Sequence, residues 1–306
     1  MQLPRNIPTL LICAVYMVVG PALMIVNKRI MDPKGSIVFP YPLFVSSLGL
    51  LFTACATIVL RLTGYLELEH EHLMTRKFWI LRILPVGVCH AGTLAFGNAQ
   101  YLYMGVALIQ FLKAFTPIVV TIISLLILKR KVTLRVWLML LIICCGTSMT
   151  AMGEAYIQYL GLFLAFGSST TEAIRLVLTQ FALQDCKMSL LESQYHMAPV
   201  AALALLLLSY FLEYPKMVAE DHLDALFLYK GEFLLAATLG LGVQLLTSNV
   251  IQMTSSTTLK VISQLRNALV VLAGPMLFHE GISFIQVVGY LISVAGVYGY
   301  AVALSK

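Results

Sequence analysis

Apolar runs of about 20 residues recur along the whole chain, separated by short segments that hold nearly all of its charge. Each run is long enough to cross a hydrocarbon layer about 30 Å thick as a helix. A soluble domain must cover itself with groups that prefer water, and it carries about 25% charged residues. Here Asp, Glu, Lys and Arg make up only 11% of the chain, and the mean hydropathy is +0.91. In lipid every backbone group has to bond internally, so only helices and closed barrels span. The roughly 10-residue alternation of barrel strands is absent. The chain therefore reads as an all-α polytopic membrane protein.

Ten candidate spans follow, near residues 7–27, 40–60, 79–103, 106–128, 134–152, 156–183, 191–212, 232–253, 257–278 and 283–303. The first run has no small-residue cleavage site and reads as a retained span. With the N-terminus in the cytoplasm, that side collects ten Lys and Arg residues, including the cluster Lys129, Arg130, Lys131 and Arg135. The other side collects five: Lys28, Arg29, Lys34, Lys216 and Lys230. The excess predicts that both termini are cytoplasmic. A slide of 150 residues superposes Leu126–Thr133 on Met276–Ser283. It divides the single membrane domain, 1–306, into 1–152 and 153–306. Because five spans is an odd number, the second copy enters from the opposite side. The expected fold is ten helices in two inverted five-helix repeats, with a site near the midplane between them.

Five of the twenty Lys and Arg residues fall inside spans: Arg82, Lys113, Arg175, Lys260 and Arg266. Arg82 is within a turn of a polar loop and reads as a snorkelling side chain. The other four are deeper, and at about 3 kcal/mol each on insertion scales they cost on the order of 10 kcal/mol together. A domain's whole net stability is about 5–15 kcal/mol. Glu172 lies three residues before Arg175 on one helix face, and the two read as a structural ion pair, with Arg175 also a candidate to bind the substrate. Lys113, Lys260 and Arg266 are left with no evident carboxylate. Such a cluster suits an anion that brings its own negative charge.

Helical spacing groups these cations with neutral polar residues. Span nine carries Thr257, Lys260, Gln264 and Asn267 at three- and four-residue intervals, and span four carries Gln110, Lys113 and Thr116. Pro117, four residues past Lys113, predicts a kink in span four. Interhelical hydrogen bonding accounts for Gln, Ser and Thr in such stripes, but poorly for unpaired cations. Tyr101 and Tyr195 are further candidates to line a cavity, as are Asn98, Gln100, Tyr103, His196, Gln244, Thr247, Ser248 and Asn249; packing uses such residues equally well. His70 and His72 alternate with Glu69 and Glu71 in a polar loop and read as a solvated segment. The six cysteines read as small apolar residues. Neither a metal nor a cofactor is expected, nor any contact with nucleic acid.

Four stretches, spread over nearly the whole chain, carry a resemblance: Asn27-Lys28, Leu108–Phe115, Glu172–Gln180, and Thr258–Val261 with Arg266. The chain resembles the triose-phosphate translocator and nucleotide-sugar transporter branch of the drug/metabolite transporters, the sixth-span string most closely the plant sugar phosphate/phosphate translocator subgroup. That resemblance implies ten helices, alternating access and obligate exchange of one anion for another. Plastid phosphate translocators hold phosphate with a fourth-span lysine, which Lys113 matches, and with a Lys-Arg pair on span nine. That pair falls on Arg266-Asn267 here, so one cation is missing, although Lys260 lies two turns earlier. The third-span His and Thr of those proteins fall near Leu94 and Gly97 and are not kept. The Gly-Ala-Leu-Asn-Lys string of GDP-mannose carriers is replaced by Ser263–Asn267. These departures move the expected substrate from triose phosphate toward nucleotide sugars.

The expected function is therefore an antiporter that exchanges a nucleotide sugar, or a related phosphorylated sugar, for a nucleoside monophosphate or phosphate. Its partners are those anions and the lipid bilayer, with a homodimer left open. Its setting is the Golgi or endoplasmic reticulum, and a plastid is disfavoured because no Ser/Arg-rich segment precedes the first span. A triose- or hexose-phosphate/phosphate translocator is the alternative, and a non-transporting scaffold a second. A cation-drug exporter would need unpaired intramembrane carboxylates. An intramembrane enzyme would need a nucleophile or metal motif that is absent from the sequence.

Overall fold

The computed structural model describes residues 7–31, 37–104, 109, 112–129, 132–150, 159–266 and 284–305, and every regular element among them is helical. In chain order the main helices are α1 (Ile7–Met31), α2 (Pro42–Leu62), α3 (Arg76–Ala99), α4 (Thr116–Leu128), α5 (Leu134–Thr150), α6 (Tyr159–Gln180), α7 (Leu190–Leu212), α8 (Lys230–Met253), α9 (256–266) and α10 (Phe284–Ser305). By length and composition, five among the described residues can cross a membrane: α1, α2, α3, α7 and α8. The run Ser168–Thr171 with Glu172 and Arg175 makes α6 more polar. Residues 106–108, 110 and 111 of the expected fourth span and 267–278 of the ninth lie outside the described residues.

The surface is apolar and part of the interior is polar, the reverse of a water-soluble fold. Leu11, Val18 and Ile25, seven residues apart on α1, are 63%, 69% and 69% exposed. On α2, Ser47, Thr53 and Thr57 are buried and donate back to the carbonyls of Phe44, Gly49 and Thr53. Back-bonding of this kind satisfies hydroxyls that have no water to meet. The chain is an integral membrane protein.

Helix packing follows small residues. α5 packs on α10, α2 on α7, α3 on α6 and α7, α8 on α1 and α2, and α4 on α6. Where α2 crosses α8, Gly49 meets Gly240, and a Cβ on Gly240 would lie 3.0 Å from the Gly49 Cα. Where α5 crosses α10, Gly146 lies against Ser293 and Gly296 against Ile143. Only glycine permits so close an approach of two backbones.

The helix ends are bonded individually. Pro42 opens α2, and the next two amides, Leu43 and Phe44, donate to the Oε1 and Oε2 of Glu213 at 2.8 Å each. A carboxylate from the end of α7 thus meets free N–H groups and the positive pole of α2. Beside it, the Tyr41 hydroxyl donates to Glu220 at 2.9 Å, and burial, followed by that carboxylate, pushes the phenol up to about 12. At the opposite end of the bundle, α3 opens through a π-turn (Trp79–Ile83) and α6 closes through another (Phe181–Asp185). The Arg82 guanidinium sits 4.4 Å over the Phe181 ring, so this cation is held by an aromatic face.

Span four departs from the expected kinked helix. The chain is helical at 112–114, turns at Phe115, and restarts as α4 with Pro117 in its first turn. Pro117 has no amide hydrogen to give the Lys113 carbonyl, which a continuous helix would require. Gln264 supplies it instead: its Nε2 donates to the Lys113 oxygen at 2.8 Å. Cys144 Sγ donates to the Ala114 carbonyl at 3.2 Å. The break is repaired from α9 and α5.

Candidate site: a cationic cavity between the helices

A cavity of about 290 Å³ lies among α1, α2, α3, α6, α8 and α9. Among the described residues its charged lining consists of Arg175, Lys260 and Arg266 against a single carboxylate, Glu172. Three cations less one acid leave two positive charges in surplus. Tyr16, Asn27, His90, Gln244 and Thr247 add neutral polar groups.

Each cation is positioned differently. Lys260 Nζ lies 2.5 Å from Glu172 Oε1. Removing one partner of this half-buried pair leaves the other charge unmatched. The guanidinium of Arg266 lies over the Tyr16 ring, 5.3 Å from its centroid, and Tyr16 is fixed by a 3.0 Å hydrogen bond to Ser263. Gly20 leaves α1 open for the Arg266 fork, where any Cβ would collide with it. The Nε atoms of Arg175 and Arg266 have no hydrogen-bond partner among the described residues.

The cavity lies toward one end of the bundle. Its lining takes Asn27 near the end of α1, Val45 and Ser46 near the start of α2, and Ala236 near the start of α8. The other end is closed by glutamines. Gln184 Nε2 donates to the carbonyls of Ile251, Gln252 and Thr254 at 2.6, 3.1 and 3.0 Å. Gln180 Oε1 accepts from the Ser256 amide and hydroxyl at 2.9 and 2.7 Å, and its amide bonds Gln184 at 2.9 Å. Together these bonds join α6 to the α8–α9 turn.

Several expectations need correction. Glu172 pairs with Lys260 on α9 and not with Arg175 on its own helix, so Lys260 has a carboxylate and Arg175 is a cavity residue. Gln264 does not line the cavity, because its amide is committed to the Lys113 carbonyl. Tyr195 packs edge-on against His196 in an outward-facing apolar groove between α3 and α7, away from the cations. Lys113 is not among the lining residues but lies near enough to act on the Glu172 charge. Gln110, Asn267 and the Tyr101 side chain lie outside the described residues. Tyr16, Asn27 and His90 are additions. His90 had a usable signal, since an imidazole amid an apolar run invites the same question as an in-span lysine.

Comparison with known proteins fits this geometry. The Triose-phosphate Transporter family profile matches residues 7–301. The chain belongs to that family. Two Arabidopsis thaliana relatives, each described as a "probable sugar phosphate/phosphate translocator", are 30% and 29% identical; both alignments cover 93% of this chain, and 84% and 83% of the relatives. The "UDP-galactose transporter 1" of the same plant is 25% identical over 90% of this chain and 82% of its own. A crystal structure described only as "Crystal structure of protein" superposes with a TM-score of 0.69. It covers 98% of this chain and 99% of its own at 14% identity, a likeness of fold alone. Membership identifies a transporter family, and an enzymatic role has no support from it.

Proposed function

We propose that this chain carries a phosphorylated sugar, as an anion, across an internal membrane by alternating access. One observation carries the reading: Arg175, Lys260 and Arg266 converge on a cavity among membrane-embedded helices that holds a single acid among the described residues. Uncompensated charge at that depth is costly unless a ligand of opposite sign uses it. The translocator names of the relatives support the same substrate class. At about 290 Å³ the cavity is just below the roughly 300–1,000 Å³ usual for small-molecule sites. That size favours a monosaccharide phosphate over a nucleotide sugar, which must also seat a base, a ribose and a second phosphate. The UDP-galactose transporter among the relatives favours the larger substrate, and exchange against a nucleoside monophosphate is the second reading.

Alternating access in this reading uses two inverted halves, 1–152 and 153–306. The helix contacts support it. Advancing every helix by five turns α3·α6 into α8·α1, turns α2·α8 into α7·α3, and leaves α5·α10 and α2·α7 unchanged. At the α5·α10 crossing the match reaches single residues, because a shift of 150 carries Gly146–Ser293 onto Gly296–Ile143. With both termini cytoplasmic, as the basic residues indicate, the cavity leans toward the non-cytoplasmic side and Gln180 and Gln184 close the cytoplasmic one. The Golgi or endoplasmic reticulum is the proposed setting.

The test is uptake by purified protein in liposomes. Radiolabelled sugar phosphates, nucleotide sugars and phosphate are supplied outside, and each candidate counter-substrate inside. Saturable uptake of a hexose or triose phosphate, competed by phosphate, is expected. Uptake confined to nucleotide sugars would favour the second reading, and uptake of none would overturn both.

A further inference from the structure

The polar lining of the cavity has a deep level and an outer one. Lys260 comes four residues after Ser256 and Arg175 five before Gln180, and Ser256 donates to Gln180 in the closed end. At about 1.5 Å per residue, both cations spring from backbone within about 8 Å of that closure. Arg266 is six residues further along α9, with its guanidinium against Tyr16 and Gly20 of α1. From there α1 carries the wall outward. Tyr16, Gly20, Leu23 and Asn27 line the cavity at three- and four-residue steps, one face of a helix. Asn27 is seven residues past Gly20, about 10 Å beyond the place where α1 meets the Arg266 fork. Ser46, in the second turn of α2, lines the cavity at the same open end. Between the two levels the wall is apolar, with Leu23, Met24 and Val243. Asn27 Oδ1 is buried with no hydrogen-bond partner among the described residues. A carboxamide oxygen only accepts; an ionised phosphoryl oxygen has no hydrogen to give it, whereas a sugar hydroxyl has. The terminal torsion of asparagine is soft, so a small turn presents that oxygen to a solute in the cavity.

We infer that the substrate lies lengthwise in the cavity, with its phosphate on the deep cations and the remote hydroxyls of its sugar on Asn27 and Ser46. This arrangement rests on the anion-carrier reading above and deepens it by naming the residues that read the sugar. A ligand that fits has three parts in order: an anionic head, a stretch with C–H faces to pack on the apolar wall, and hydroxyls at the far end. A hexose 6-phosphate has all three. Its ring carbons supply the apolar face, and its anomeric end is remote from the phosphate. The cations then hold any phosphate ester, and Asn27 with Ser46 sets the preference among sugars.

The experiment measures exchange by the full-length protein in liposomes loaded with inorganic phosphate. Radiolabelled inorganic phosphate or glucose 6-phosphate is supplied outside. The quantity read is the ratio of the two half-saturating concentrations, glucose 6-phosphate over phosphate, because phosphate has the head and no sugar. Asn27→Ala is expected to raise this ratio by at least about fivefold, the effect of losing one hydrogen bond. Ser46→Ala is expected to raise it by at least about twofold, and the double variant by more than either. A purely structural role would move both concentrations together and leave the ratio where it was. An unchanged ratio in both variants therefore overturns the inference and leaves the carrier reading intact, and an unchanged ratio in one removes that residue from it. A wild-type protein that exchanges phosphate but not glucose 6-phosphate overturns the inference as well. If Asn27→Ala is not recovered as folded protein, Asn27→Ser, which draws the polar atom back toward the backbone, takes its place, and no change again overturns the assignment. A wild-type protein that exchanges neither probe overturns the monosaccharide phosphate reading and the inference with it, a result distinct from an unchanged ratio.

Discussion

Arg175 is the near neighbour of Glu172 in the chain and Lys260 is remote from it, but only Lys260 holds the carboxylate in the fold. Loss of either cation removes a charge from an anion site, where truncating a buried charged partner costs about 2–5 kcal/mol, or at least roughly 30-fold in affinity. Lys260→Ala and Arg175→Ala are therefore expected to reduce uptake by that factor or more, with the protein still recovered from detergent as a single species. Tyr195→Phe, on the outward groove, is expected to stay within about twofold of wild type, an ordinary surface effect. Gln264 separates the roles from the other direction. Gln264→Ala leaves the Lys113 carbonyl without a donor and is expected to cost about 1–3 kcal/mol of stability, read as a lower unfolding midpoint. At this scale the sequence picked out the in-span cations, of which Arg175, Lys260 and Arg266 line the cavity and Lys113 does not, and it mispaired Glu172. Three residues apart on a helix is a visible proximity; the approach of α6 to α9 is not, because nothing local in either segment encodes it.

At the level of helices, most positions were legible because apolar runs and charged breaks record the thickness of the membrane. The exceptions have local causes. The expected fourth span is interrupted at Phe115, between helical residues 112–114 and α4, because Pro117 suits a first turn better than a helix interior. The π-turns at Trp79 and Phe181 leave no mark in hydropathy, since one extra residue in a turn changes geometry without changing composition. Crossings are set by glycine, and this can be tested. At Gly146 an added Cβ would meet the Ser293 nitrogen at 2.5 Å and the Gly289 oxygen at 2.7 Å, both backbone atoms that no rotamer change can move. Gly146→Ala is expected to cost about 1–3 kcal/mol and to broaden the protein's size-exclusion peak. Gly231→Ala, in the first turn of α8 with open space around it, is expected to be neutral or stabilising by up to about 1 kcal/mol.

For the whole molecule, the two ends differ in kind. One end admits the cavity, and the other is held shut by glutamine side chains bonded to backbone carbonyls and an amide. Neutral hydrogen bonds of about 1 kcal/mol each suit a closure that must open repeatedly. Gln184→Leu removes three donations to residues 251–254, and amide hydrogen exchange across 250–258 is expected to rise by at least about tenfold, the effect of losing more than 1.4 kcal/mol of local stability. Unchanged exchange there would mean that packing closes this end. None of this was readable in advance, because Gln180 and Gln184 look in the sequence like any other polar residues near a helix terminus.

The Gly146–Ser293 and Gly296–Ile143 contacts carry a last implication. Under the proposed swap of inward and outward forms, each half takes on the other's shape, and these two contacts simply trade names. A contact that maps onto itself has the same energy before and after the swap. Changes made there alter how firmly the protein is built and leave untouched which way it faces. Control over direction has to reside where the halves differ, at the residues with no twin.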